Sequence, residues 1–296
     1  WTVALLSSFF FFIVTATTEL STLSLHDALP IFFPGGYLLV AGASGSGKST
    51  LARTLNGLIP HFHGGRLEGE VRVGGVSTLS RSVGDLFDQV GMVFQSPEAQ
   101  LFNRTVLREI AFGLESLGLP REEIRRRIKA VAAEMEITHL LDREPQRLSG
   151  GEQQMVCLSA VAALRPRAIV LDEPFANLDA ENACRLRRTL SALREKGTGV
   201  VVCEHRLAHT APDADRVILM EEGRKILEGA PREVLQGDPG ARGLDPPDLP
   251  ELEWGSAPFR PEAFSGAGPP LIALEEVCFE REGRRILDQV SLAVHK

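Results

Sequence analysis

An α/β domain on a mostly parallel sheet is the fold class that this 296-residue sequence predicts. Three observations predict it. First, an apolar run from Tyr37 to Ala41 (YLLVA) passes directly into a glycine-rich loop, Gly42-Ala-Ser-Gly-Ser-Gly-Lys-Ser-Thr50, and then into a helical stretch from Leu51 to Leu58. Second, another apolar run, Ala168 to Leu171, ends on the acid pair Asp172-Glu173. Third, strand-like and helix-like segments alternate along the chain, the order expected of a parallel sheet with crossover helices.

Each element follows from its pattern. Tyr37 to Ala41 is apolar without alternation, as expected for a strand covered on both faces. Gln89 to Phe94 reads as a strand, Arg121 to Met135 as a charged helix, and Gly150 to Leu164 as a long helix rich in Ala, Leu and Gln. Gly199 to Cys203 and Arg216 to Met220 add two strands. Composition then shifts. Residues 236–270 are dense in Pro and Gly and read as a linker or extended tail. Leu271 to Val294 resumes a strand–turn–strand pattern.

The 44% hydrophobic content suffices for one good core and a fragment of another. A formal net charge of −7 gives no electrostatic reason to expect nucleic acid as a partner. The four cysteines (Cys157, Cys184, Cys203, Cys278) form no CxxC pair. They argue against a structural zinc site or a disulfide framework and suit a reducing cytoplasm. His61 and His63 have metal-like spacing but no acidic or Cys companions, and read as loop or packing residues.

Residues 1–31 stand apart. Trp1 to Val14 is almost entirely apolar, yet too short to span a bilayer and without the flanks of a signal peptide. Thr22 to Ile31 (TLSLHDALPI) reads as the in-frame translation of a DNA-sequencing library adapter, and Thr15 to Glu19 matches its upstream part; Leu20 and Ser21 do not fit. The expectation is that 1–31 is adapter-derived and that the domain begins near Phe32. The alternative is a poorly conforming hydrophobic anchor.

The spacing Gly42-x4-Gly47-Lys48-Ser49 defines a phosphate-binding loop. In it, Gly42, Ala43, Ser44, Gly45, Ser46, Gly47, Lys48, Ser49 and Thr50 are the candidate nucleotide-binding residues. Glycines let backbone N–H groups curl around phosphate oxygens, Lys48 reaches the β- and γ-phosphates, and the Ser49 hydroxyl binds Mg²⁺. Asp172 lies at the C-terminal end of its strand, where open α/β sheets bind ligands, and is a candidate for holding Mg²⁺. Glu173 is the candidate to orient or deprotonate an attacking water.

Leu148-Ser149-Gly150-Gly151-Glu152 closely resembles the signature motif of ABC ATPases. A Ser and two glycines opening a helix form a second phosphate cradle by the same N–H and dipole logic. The resemblance covers roughly 32–235 and implies a P-loop NTPase fold of the ABC type. That fold has a RecA-like core, a helical signature subdomain and a small antiparallel β subdomain. The resemblance further implies ATP and Mg²⁺ as cofactors, and a signature that faces the ATP of a partner domain. Gln95 matches the Q-loop, which links Mg²⁺ and water to a transmembrane partner. Asn177-Leu178-Asp179 matches the D-loop, and His205 the switch histidine that contacts the γ-phosphate and the catalytic Glu. Catalysis would rest on Glu173, His205 and Gln95, and the metal on Ser49, Gln95 and Asp172.

Two stretches narrow the resemblance. Asn56 to Gly75 and Val90 to Pro120, above all Phe94-Gln-Ser-Pro-Glu-Ala-Gln-Leu-Phe102, look like the ATPases of energy-coupling factor (ECF) importers, which take up vitamins and transition metals. Leu274 to Phe279 and Ile286 to Leu292 look like the opening strands of another ABC domain, so 271–296 would begin a second domain; the alternative is a C-terminal regulatory hairpin. The implied partners are a second ABC ATPase domain, a transmembrane coupling subunit and a substrate-capturing membrane subunit, with the chain peripheral on the cytoplasmic face of the membrane. Three departures stand out. Met155 replaces a basic residue, which would alter contacts near the partner phosphate. Arg281 replaces an adenine-stacking aromatic in the second domain, and the first domain's own stacking strand would fall upstream of Phe32. Rival readings are an importer ATPase of another class, a soluble tandem ATPase acting on ribosomes, and a non-catalytic binding module. The intact Glu173 and His205 count against the last.

Overall fold

The computed structural model describes residues 14–18, 23–24, 35–63, 67–73, 76–235, 244, 272–281 and 284–294. In chain order the first part comprises β1 (Val14–Thr18), β2 (Leu23–Ser24), β3 (Tyr37–Ala41), α1 (Lys48–Leu55), α2 (Leu58–His61), β4 (Glu68–Val73) and β5 (Val76–Ser77). Next come α3 (Val83–Leu86), β6 (Val90–Val93), α4 (Pro97–Gln100), α5 (Val106–Ser116), α6 (Arg121–Glu134) and α7 (Gly150–Ala163). Then follow β7 (Ala168–Asp172), α8 (Ala180–Glu195), β8 (Gly199–Glu204), β9 (Arg216–Glu221), β10 (Arg224–Gly229) and α9 (Pro231–Val234). A last pair, β11 (Ile272–Arg281) and β12 (Arg284–Val294), forms a separate antiparallel hairpin.

The main sheet has the order β10-β9-β3-β8-β7-β6. Its strands from β9 to β6 run parallel, and β10 closes one edge antiparallel to β9. Alternation along fully buried strands sorts the side chains onto two faces. Tyr37, Leu39, Ala41, Ile169, Leu171, Val200 and Val202 point into the larger core with residues of α5 to α8. Leu38, Val40, Ala168, Val170, Val201 and Cys203 point into the other, against Leu51, Ala52 and Leu55 of α1 and Val71 and Val73 of β4. Both faces are thus apolar, which is why these strands read as continuous hydrophobic runs.

A second sheet, β2-β1-β4-β5, is antiparallel. Its strands β1 and β2 fall within 1–31, where Val14 to Thr17 register against Val71 to Glu68.

Several boundaries differ from the sequence expectation. Helix α1 starts at Lys48 rather than Leu51, because Gly47 adopts φ 97° and serves as its N-cap. It stops at Leu55 rather than Leu58, because Gly57 at φ 76° turns the chain into the left-handed region, where glycine bears no Cβ penalty. The chain divides into two compact units after Leu249, within the stretch 236–270. Leu244 is 4% exposed and packs in the larger core, so part of the expected linker belongs to the first unit; the rest of 236–270 lies outside the described residues. No helix among the described residues is long and apolar enough to cross a membrane.

Candidate functional site

Four neighbouring parallel strands deliver the candidate residues at their C-terminal ends. Strand β3 leads into the loop 42–50, β6 into Gln95, β7 into Asp172 and Glu173, and β8 into His205. A cleft of about 370 Å³ forms there, lined by Ser44, Gly45, Gly47, Lys48, Ser49, Thr50, Gln95, Glu173, Glu222 and Gly223.

Glycine is required at three points of the loop. Gly45 and Gly47 have φ 80° and 97°. A Cβ on Gly42 would meet Ser46 Oγ at 2.4 Å and the Met220 carbonyl at 2.5 Å. The Lys48 ammonium is 3% exposed and donates to the carbonyls of Gly42 and Ala43, each at 2.8 Å. It lies 4.0 Å from Glu173 Oε1. Ser49 Oγ donates to Asp172 Oδ1 at 2.9 Å, and Gln95 Nε2 donates to Glu173 Oε2 at 2.8 Å. Nδ1 of His205 lies 3.6 Å from Glu173 Oε1. Residues up to 157 positions apart in sequence, Lys48 and His205, thus converge around one carboxylate.

Glu173 takes φ 47°, rare for a residue with a side chain, and its N–H donates to the Cys203 carbonyl at 2.8 Å. Such backbone strain concentrates at functional sites. Burial raises the proton affinity of Asp172; the bond from Ser49 and the charges of Arg53 and Lys48 oppose it.

The signature residues lie apart from this cleft: none of Leu148, Ser149, Gly150, Gly151 and Glu152 lines it. They meet the D-loop instead. Ser149 caps α7 in a reciprocal box, its N–H donating to Glu152 Oε2 at 2.8 Å while its Oγ accepts from the Glu152 N–H at 3.4 Å. A Cβ on Gly150 would stand 4.0 Å from the Asn177 carbonyl, and one on Gly151 would strike the Asn182 side chain at 2.5 Å. Asn182 in turn donates its backbone N–H to Asp179 Oδ1 at 2.7 Å, capping α8. Leu178 packs against the larger core. The candidates therefore form two clusters. One gathers 42–50, Gln95, Asp172, Glu173 and His205; the other gathers 148–152 and 177–179.

Met155 is 1% exposed and packs in the larger core. His61 Nε2 is engaged at 2.8 Å with the Thr78 carbonyl. Arg281 ends β11 and registers against Arg284.

Four residues emerge only from the fold. The turn Glu222-Gly223 between β9 and β10 lines the cleft, and the Gly223 N–H donates to the Ser46 carbonyl at 3.0 Å. Its Glu-Gly pair after an apolar run is a legible turn, but nothing local ties it to the loop 42–50. Asn182 braces the signature from 31 positions away. Glu204, at the end of β8, is fully buried.

The chain is similar to known proteins. A family model described as ABC transporter matches residues 29–176. A protein of Pyrococcus abyssi (strain GE5 / Orsay) named as an ABC transporter ATP-binding protein is 42% identical over 216 residues, covering 72% of this chain and 76% of its own. The chain belongs to the ABC transporter ATP-binding family and is an ATP-hydrolysing subunit of that class. Among solved structures, cbiO1 from Clostridium perfringens, described as part of the ABC transporter complex cbiONQ, matches with TM-score 0.68 and 26% identity. That match covers 77% of this chain and 90% of the other. The ATP-binding cassette MJ0796, in a dimeric post-hydrolysis state bound to ADP and Pi, matches with TM-score 0.65 and 25% identity over 75% of this chain and 98% of the other. Several further relatives are much longer, and the matched stretch spans only 36% to 45% of their length.

Proposed function

We propose that this chain powers an importer of the ECF type, one that takes up a vitamin or a transition-metal ion, from the cytoplasmic face of the membrane. The stretch Phe94 to Phe102 and the likeness to cbiO1 support this reading. Its partners are a transmembrane coupling subunit and a substrate-capturing membrane subunit. Residues 32–235 act as one ATPase domain, and 271–296 open a second.

The observation that carries the mechanism is the separation of two clusters within one domain. The loop 42–50 binds ATP through its amides and Lys48, while the Ser149-Gly150-Gly151 cradle has no phosphate loop of its own beside it. Both are completed when two domains face each other, each ATP lying between one loop and the other domain's signature, with Asn177, Leu178 and Asp179 beside it. Oxygen donors from Ser49, Asp172 and Gln95 suit a hard divalent cation, so these residues would hold Mg²⁺. The cation would neutralise phosphate charge and favour the ionised form of the buried Asp172.

Glu173 accepts a proton from the attacking water, Gln95 orients that water, and His205 contacts the terminal phosphate. Hydrolysis is mainly a matter of positioning and charge stabilisation. The test is steady-state hydrolysis by the full chain. Glu173→Gln keeps the shape of the side chain but not its basicity, and should lower kcat by about two to four orders of magnitude while ATP still binds. An unchanged kcat would overturn the assignment. Co-sedimentation of the chain with ribosomes rather than with membranes would overturn the importer reading.

A further inference from the structure

Glu204 is a carboxylate in an unusual place. It ends β8 and is fully buried, although an acid is almost never found so unless it is paired. Burial raises its proton affinity, and the N–H groups of Arg206 and His205 work against that rise. Its oxygens are spent on backbone. Oε1 accepts from the N–H of His205 at 2.9 Å and of Arg206 at 3.2 Å, and Oε2 accepts from the N–H of Phe175 at 3.4 Å.

The third bond differs in kind. Phe175 lies two residues beyond Glu173, on the loop after β7. One side chain therefore ties the segment that carries Glu173 to the turn that carries His205.

Glu204 also faces the imidazole. Its Oε1 stands 3.2 Å from His205 Nδ1, and Glu173 Oε1 stands 3.6 Å from the same atom. Nδ1 is enclosed and completes no hydrogen bond, so its surroundings decide its state. Ionised carboxylates only accept hydrogen bonds, so a bare lone pair on Nδ1 would repel both. The arrangement favours a hydrogen on Nδ1 and leaves Nε2 as the atom available to a ligand.

We propose that Glu204 is a positioning residue for ATP hydrolysis: its buried carboxylate sets the orientation and tautomer of His205 and holds Glu173 in register with it. This rests on the reading above, in which Glu173 and His205 act on ATP. The competing role is that of a plain cap for three amides, in which the charge is irrelevant. Glu204→Gln separates the two. It keeps a carbonyl oxygen for the amides but loses the charge and one acceptor, and it can place an N–H₂ beside Nδ1.

The experiment is hydrolysis by the full chain as Glu204→Gln, His205→Ala and the double variant, with nucleotide affinity measured by titration. Glu204→Gln should lower kcat by about 10- to 100-fold, the order of loss seen when a carboxylate that orients a metal-ligating imidazole is removed. ATP affinity should stay within about twofold, since no Glu204 contact reaches the loop 42–50. In the His205→Ala background the same change should cost much less than it does in the parent, the remainder reporting the tie through the Phe175 amide to the Glu173 segment. A drop in ATP affinity matching the drop in kcat, or full additivity in the double variant, would overturn the proposal in favour of a cap. If Glu204→Gln does not fold, Glu204→Asp carries the same test: it keeps the charge one methylene short, and its loss of kcat should likewise shrink when His205 is absent. An unchanged kcat in His205→Ala would sink the reading of His205 itself, and is distinguishable from an inert Glu204 beside an essential His205.

Discussion

At the scale of single residues, legibility follows the locality of the chemistry. Lys48, Ser49, Asp172 and Glu173 are readable because a phosphate loop and a strand-end acid pair each occupy a few consecutive positions. Glu204 and Asn182 are not, because their partners Phe175 and Gly151 lie 29 and 31 positions away. Lys48→Ala removes the one cation among the described residues that line the cleft. It should reduce ATP affinity below detection in a nucleotide titration, and retained affinity would show that the site lies elsewhere. Buried thiols give a second test. Desolvation pushes Cys157 up to about 12. Its folded value exceeds its unfolded one, so between the two the native state binds more proton. Stability is then full below the unfolded value of about 8.5 and is lost as pH rises toward 12, at up to about 1.4 kcal/mol per unit. Thermal melts from pH 8 to 11 should fall steeply, and less steeply for Cys157→Ala. Cys203 shifts in the same direction and retains part of the slope.

At the scale of elements, strands with no polar interruption were the easiest to read: β3, β7, β8 and β9 match their expected spans to within a residue. Their neighbours were harder for a physical reason. Helix α8 carries a mixed, Arg-rich face and buries only Ala183, Leu186, Leu190 and Leu193, so its periodicity is diluted although Asp179 is a plain start signal. Strand β4 lies in a small antiparallel sheet whose pairing depends on β1, distant in sequence. The caps of such helices can be tested one at a time. Thr105 Oγ1 accepts from the Arg108 N–H at 3.3 Å and so satisfies one of the unpaired donors at the start of α5. Thr105→Ala should cost about 1 kcal/mol, seen as a melting shift of about 2–4 °C for a domain of this size. ATP affinity should be unchanged. A shift in affinity instead would mean that α5 is coupled to the nucleotide cleft.

At the scale of the whole molecule, the division into two clusters makes a statement about assembly that neither cluster makes alone. On the proposed reading, a signature cradle that is capped, braced by Asn182 and absent from the cleft of its own domain would act on a nucleotide only when presented to another domain. The longer relatives, of which this chain matches 36% to 45%, and the dimeric state of MJ0796 both supply a context for such pairing. Glu173→Gln is the variant that exposes it. Its carboxamide retains the volume and reach of the acid, and Lys48, Ser49 and Asp172 are untouched, so ATP and Mg²⁺ should still bind. On the proposed reading closure would require bound ATP and opening its hydrolysis, which the variant would have lost. The closed pair should therefore accumulate. Light scattering on the size-fractionated chain with Mg-ATP should give about twice the mass of the nucleotide-free chain for Glu173→Gln, and only a minor paired fraction for the parent. Adding Ser149→Arg should abolish the pair, since the long side chain would fill the cradle that has to receive the facing domain's ATP. A Glu173→Gln chain that stays single with ATP bound, where the parent hydrolyses ATP, would contradict both the role of Glu173 and the two-domain site.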